Sequence, residues 1–135
     1  MQIGLAALDA LGTAAHNPNV QADGTLSALW PDAAVSTLSH HAAVERVVAL
    51  GTVLAVELKV AEGERGYASG AARRVAQRLR RVGVYARPLG NVAYLMCTPT
   101  TTPGEAAALL ERLRGCLQEP VDQFDDTPTR AAAVA

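Results

Sequence analysis

The chain predicts an α+β fold, a small and mostly antiparallel sheet with helices on one face. Three observations lead there. Apolar residues recur at helical spacing in several segments, they alternate or run continuously in shorter ones, and glycine, proline and asparagine punctuate the joins. The resulting order is helix, helix, strands, helix, hairpin, helix. With 135 residues there is enough chain for one core, and half the residues are hydrophobic while only 4% are aromatic, so that core is built from alanine, leucine and valine.

Ile3, Leu5, Leu8 and Leu11 share a helical face that Gly12 ends, and nothing ahead of Gln2 caps the first turn. A helix opening uncapped on Met1 is expected to be the end of one from a missing larger domain, over residues 1–14. His16-Asn17-Pro18-Asn19 and Asp23-Gly24 make residues 14–24 a surface loop. Leu26, Leu29, Trp30, Ala33, Ala34 and Leu38 then mark helical turns restarted at Pro31. His40-His41 reads as a polar helix end, because adjacent histidines cannot share a helix face and no carboxylate cluster accompanies them to hold a metal.

Val44, Val47, Val48 and Leu50, then Gly51-Thr52, then Val53 to Leu58 read as a bent or paired strand with glycine at the bend. The run is apolar on both faces, which predicts a central position. Glu62 to Gly66 is a loop whose glycines match neither a Walker A loop nor a dinucleotide fingerprint, and Ser69 lacks the frame of a nucleophile elbow. Positions 68, 71, 72, 75, 79 and 82 form an apolar stripe, with Arg73, Arg74, Arg78, Arg80 and Arg81 on the rest of a helix that Gly83 ends. Five arginines can grip phosphates, but no aromatics interleave with them and the net charge is −1, so a solvated face is the expectation and a nucleic-acid partner is not.

Val82, Val84 and Ala86 alternate toward the next element, Pro88 forces Arg87 out of helical space, Gly90-Asn91 supplies a turn, and Val92, Tyr94 and Met96 resume a period of two. This is a hairpin. Thr102-Pro103-Gly104-Glu105 is a capping box with proline at the first helical position, and Ala106, Leu109, Leu110, Leu113 and Leu117 line one face of the last helix. Residues 119–135 are acidic, then aperiodic, and are expected to be a disordered tail. Cys97 and Cys116 sit in separate elements without Cys-x-x-Cys spacing and read as buried thiols of a reducing, intracellular compartment. No apolar run reaches membrane-span length, and the chain carries no targeting pattern after Met1.

Three residues invite a chemical role. Arg87, held extended by Pro88, is by residue type either a surface cation paired with a glutamate or a receptor for a carboxylate through two parallel hydrogen bonds. Tyr94 either packs its ring and wets its hydroxyl or lines a pocket. Lys59 is the only lysine, but it ends a strand.

The run from Arg87 to Cys97 resembles the C-terminal signature of the diaminopelargonate aminotransferases, class III pyridoxal-phosphate enzymes of biotin synthesis. Leu29-Trp30, Ser39-His40, Ala43 to Val48, Gly51-Thr52 to Lys59 and Gly66 to Ser69 follow in the family's order. Tyr94-Leu-Met-Cys97 and the threonine- and proline-rich residues after it resemble the plant-type proteins that fuse a dethiobiotin synthetase to this aminotransferase. The resemblance implies that residues 15–118 are the C-terminal subdomain of a fold-type-I enzyme.

It also implies a reaction, the movement of an amino group from S-adenosylmethionine to 7-keto-8-aminopelargonate. Arg87 is then the substrate-binding match for the arginine that holds the keto acid's carboxylate, and Tyr94 matches a tyrosine of the same pocket. Pro88, Gly90 and Asn91 shape the turn that presents them. Pyridoxal phosphate would be bound mainly by the missing large domain, whose lysine and not Lys59 carries it. A homodimer is implied for the complete enzyme, and a mitochondrial location if it is of the plant type. The alternative is a stand-alone, non-catalytic α/β module that binds a small carboxylate.

Overall fold

The computed structural model describes residues 17–66 and 69–118. The helix expected over residues 1–14 and the tail expected over 119–135 lie outside them.

The sheet grows from two hairpins. β1 (Val44–Leu50) and β2 (Val53–Leu58) join through Gly51-Thr52, and β3 (Ala86–Leu89) and β4 (Val92–Met96) join through Gly90-Asn91. β4 pairs with β2, giving the order β1-β2-β4-β3 with every neighbour antiparallel. Alternation along the central strands decides what is buried. Leu54, Val56 and Leu58 of β2 point with Ala93 and Leu95 of β4 and Ala86 of β3 into the core.

The helices α1 (Asp32–Ser39), α2 (Ala71–Arg81) and α3 (Pro103–Gln118) contribute Leu38, then Ala72, Val75, Ala76 and Leu79, then Ala106, Leu110 and Leu113 to the same core. Helices therefore cover one face, as expected. Each wholly buried leucine or valine contributes about 1.5–3 kcal/mol.

The helix ends follow from local chemistry. In α3 the capping box closes in both directions: Thr102 N–H donates to Glu105 Oε2 at 2.8 Å, and Glu105 N–H donates to Thr102 Oγ1 at 3.2 Å. α2 stops where Gly83 turns left-handed at φ 79°, which lets Gly83 N–H reach the Arg80 carbonyl and Val84 N–H reach that of Leu79. His40 ends α1 with Nδ1 2.7 Å from the Ser36 carbonyl.

Five expectations change. The residues before Pro31 are not helical: Leu26 bridges to Val20, and Leu29 and Trp30 are buried as an irregular plug. Their helical spacing is overridden because proline bars the residue ahead of it from helical backbone angles. The loop at 17–24 is not wholly superficial, since Asn17 and Asn19 are buried and the Asn19 amide donates to the carbonyls of Pro99 (2.8 Å) and Thr101 (2.6 Å). β1 is an edge strand with Leu50 78% exposed, while β2 takes the centre. Val82 leaves the apolar stripe of α2 for solvent. Arg78 leaves the solvated face for the interior and donates from Nη1 to the Cys116 carbonyl at 2.9 Å, tying α2 to the end of α3.

Candidate functional site

The face that no helix covers has its own composition, set by register. Leu50, Val53 and Met96 form one row across β1, β2 and β4. Val48, Ala55, Tyr94 and Arg87 form the next across all four strands, and Arg46, Glu57, Val92 and Leu89 the third. The period of two expected for Val92, Tyr94 and Met96 holds, but Ala93 and Leu95 are the buried set and these three line the open face. Leu50, Met96, Val48 and Leu89 are all exposed there, on a face that also carries Arg46, Glu57 and Arg87.

Arg87 sits on that face directly across from Tyr94. Its side chain is exposed, and no carboxylate among the described residues pairs with it. Tyr94, flanked by Arg87 and Ala55, is half-buried. Pro88 falls on edge strand β3, where a missing N–H is tolerated and the backbone ahead of it stays extended.

The turn beneath Arg87 is fastened at three places. Gly90 takes φ 61°, a left-handed angle that a two-residue hairpin turn demands of its first position and that glycine meets without a Cβ clash. Its carbonyl accepts the Ala72 N–H at the start of α2, at 3.3 Å. Asn91 is buried: its amide donates to the Leu58 carbonyl at 3.1 Å and to Glu57 Oε1 at 3.5 Å, while its own carbonyl accepts Leu58 N–H at 2.8 Å. The hairpin that displays Arg87 is thus locked to β2 and α2. Glu57 is held from its other side by Arg46, Nη2 to Oε2 at 3.1 Å. Sequence reading passed over Arg46 and Glu57, because their pairing depends on a register that only the folded sheet reveals.

Lys59 is exposed just beyond β2, and no described side chain bonds to it. Lys59 is the chain's one lysine and stands in the open, so among the described residues no amine is enclosed as a Schiff-base site for pyridoxal phosphate. A concavity of about 580 Å³ between the end of β4 and α3 is lined by Met96, Cys97, Thr98, Glu105, Leu109 and Arg112, away from Arg87 and Tyr94. Arg87 and Tyr94 lie instead on the uncovered sheet face.

No family model matches the chain. Among solved structures it resembles the adenosylmethionine-8-amino-7-oxononanoate aminotransferase of Methanocaldococcus jannaschii, with TM-score 0.58 and 27% identity over 66% of this chain and 21% of that one. The PMP-bound aminotransferase of Vibrio fluvialis shares the fold alone, with TM-score 0.55 and 16% identity over 64% of this chain and 20% of that one. An all-antiparallel sheet backed by helices on one face is here a portion of an aminotransferase fold.

The sequence narrows that class. Over 98 residues the chain is 46% identical to the mitochondrial bifunctional dethiobiotin synthetase/7,8-diamino-pelargonic acid aminotransferase of Arabidopsis thaliana, covering 72% of this chain and 12% of the relative. The rice counterpart is 44% identical over 105 residues, 76% of this chain and 13% of the relative. The chain is similar to a portion of the diaminopelargonate aminotransferases, and spans only 12–13% of the length of these curated relatives.

Proposed function

We propose that residues 15–118 form the C-terminal subdomain of an aminotransferase that moves an amino group from S-adenosylmethionine to 8-amino-7-oxononanoate in biotin synthesis. The observation that carries this reading is an exposed Arg87 beside Tyr94 on an uncovered apolar sheet face, with no carboxylate of the described chain spent on it. The names of the relatives supply the reaction.

The open face would turn toward a cofactor-bearing domain, and its leucine, valine and methionine side chains would exclude water where the two meet. Arg87 would grip the carboxylate at the far end of the keto acid with two parallel hydrogen bonds, so that the reactive carbonyl is registered by an anchor distant from it. Tyr94 would flank the substrate chain and orient it. Pro88, Gly90 and Asn91 hold the turn in the shape that aims the guanidinium. Pyridoxal phosphate supplies the electronic work of amino transfer when bound. No transfer step is assigned to this chain. The complete enzyme would act as a homodimer, in the mitochondrion if it follows the plant relatives, whose names place them there.

The test is Arg87→Ala in a complete enzyme carrying this subdomain. A charged hydrogen-bonded contact is worth about 1.5–3 kcal/mol, so KM for the keto acid should rise about ten- to a hundredfold while the half-reaction with the amino donor is unchanged. Unaltered kinetics for the keto acid would remove Arg87 from the site.

A further inference from the structure

The geometry points to Arg46 as a positioning residue that keeps Glu57 away from Arg87, so that the guanidinium stays open for an incoming carboxylate. The inference rests on Arg87 being the carboxylate receptor.

Three charges of the described strands lie on the uncovered sheet face: Arg46 on β1, Glu57 on β2 and Arg87 on β3. Glu45, the other strand carboxylate, falls at the bulge between Val44 and Arg46 on the far edge. Glu57 lies opposite Val92, and Arg87 lies opposite Tyr94, so the two are separated by one intervening strand and one step of two residues. With strands about 4.8 Å apart and a rise of about 3.4 Å per residue, their Cα atoms are about 12 Å apart on the same face. Extended glutamate and arginine side chains together bridge that gap, over the short side chain of Val92. Glu57 is therefore the strand carboxylate best placed to occupy Arg87, as an internal competitor for the substrate.

It is held off instead. Arg46 Nη2 lies 3.1 Å from Oε2, and the Asn91 amide lies 3.5 Å from Oε1, so both oxygens are engaged toward β1 and the turn. Glu57 is 27% exposed and Arg46 72%, so the clamp is partly solvated and its strength is modest. Asn91 alone, with one neutral and longer contact, holds less firmly.

The experiment uses the complete enzyme and four variants: Arg46→Ala, Arg46→Lys, Glu57→Gln, and Arg46→Ala with Glu57→Gln. Freed by Arg46→Ala, Glu57 should compete for Arg87 and raise KM for the keto acid about two- to fivefold, the range of an exposed ion pair. Arg46→Lys should restore most of the loss. The double variant should return to the parental value, since a neutral glutamine does not compete for the guanidinium. With the neutral methyl ester of the keto acid as substrate, Arg46→Ala should have no effect.

A clamp that merely supports the sheet behaves otherwise, because Glu57→Gln also breaks the pair and would not rescue Arg46→Ala. A defect that persists in the double variant, or that is equal for the ester, overturns the proposal, as does an Arg46→Ala enzyme with parental KM. Arg87→Ala run alongside separates the two levels. If it leaves KM unchanged the underlying assignment fails; if it raises KM while Arg46→Ala does not, only the clamp fails.

Discussion

Arg87 on β3 stands directly opposite Tyr94 on β4, both on the sheet face that the helices leave bare. The pairing follows from a two-residue turn. Gly90-Asn91 sets Leu89 against Val92, and two steps further along the ladder Arg87 and Tyr94 become partners. A one-residue slip of this pairing would send one of them to the helix-covered side, because side chains alternate faces at every step.

Charge alone should not suffice at position 87. Arg87→Lys keeps a cation but replaces a planar fork with a point charge, so in the complete enzyme KM for the keto acid should lie between those of the parent and Arg87→Ala. A lysine variant indistinguishable from the parent would mean that bidentate geometry plays no part.

Asn91 fastens the turn from inside. Replacing it by alanine strands the Leu58 carbonyl and leaves Glu57 with Arg46 alone, and should cost about 1–3 kcal/mol of stability in a denaturant titration. A loss below about 0.5 kcal/mol would show the turn to be held chiefly by its backbone bonds.

Gly90→Ala places a Cβ on a left-handed residue at φ 61° and should cost about 1–2 kcal/mol. The same change at Gly63, which has a negative φ and open space around it, is the control and should be nearly neutral. Equal effects at the two positions would refute the backbone argument.

Leu79 is fully buried between α2 and the sheet, so Leu79→Ala should destabilise the fold by about 2–5 kcal/mol. Val82→Ala, three residues on but 46% exposed, should change the same denaturation midpoint much less.

Partial burial pushes the Cys97 thiol above its ordinary value, outweighing the lowering by its hydrogen bond from Thr101, and the Glu105 charge adds a smaller push in the same direction as burial. The folded chain then keeps the proton at a pH where the unfolded chain has lost it. Stability from this group is accordingly complete below the ordinary thiol range and falls as pH rises through it. Iodoacetamide labelling of the native chain should show Cys97 reacting with a midpoint at higher pH than in the denatured chain. A lower midpoint would contradict the burial argument.

Much of this architecture was legible in the residues themselves. The capping box at Thr102 and Glu105, the stop at Gly83, the turn at Gly90-Asn91 and the bend at Gly51 are all made by neighbours in the chain, and each stands where its chemistry placed it. The resemblance to these aminotransferases was legible as well, since Arg87 to Cys97 carries it in one continuous stretch. Tertiary contact decided the rest. Periodicity tells that residues alternate but not which set is inside, so only pairing with β2 and packing under α2 could bury Ala93 and Leu95 and leave Tyr94 beside Arg87 in the open. Likewise Arg78 reaches the Cys116 carbonyl, Asn19 reaches Pro99 and Thr101, and Arg46 reaches Glu57. Such contacts depend on strand register and helix docking, which join residues far apart in sequence and leave no local pattern to read.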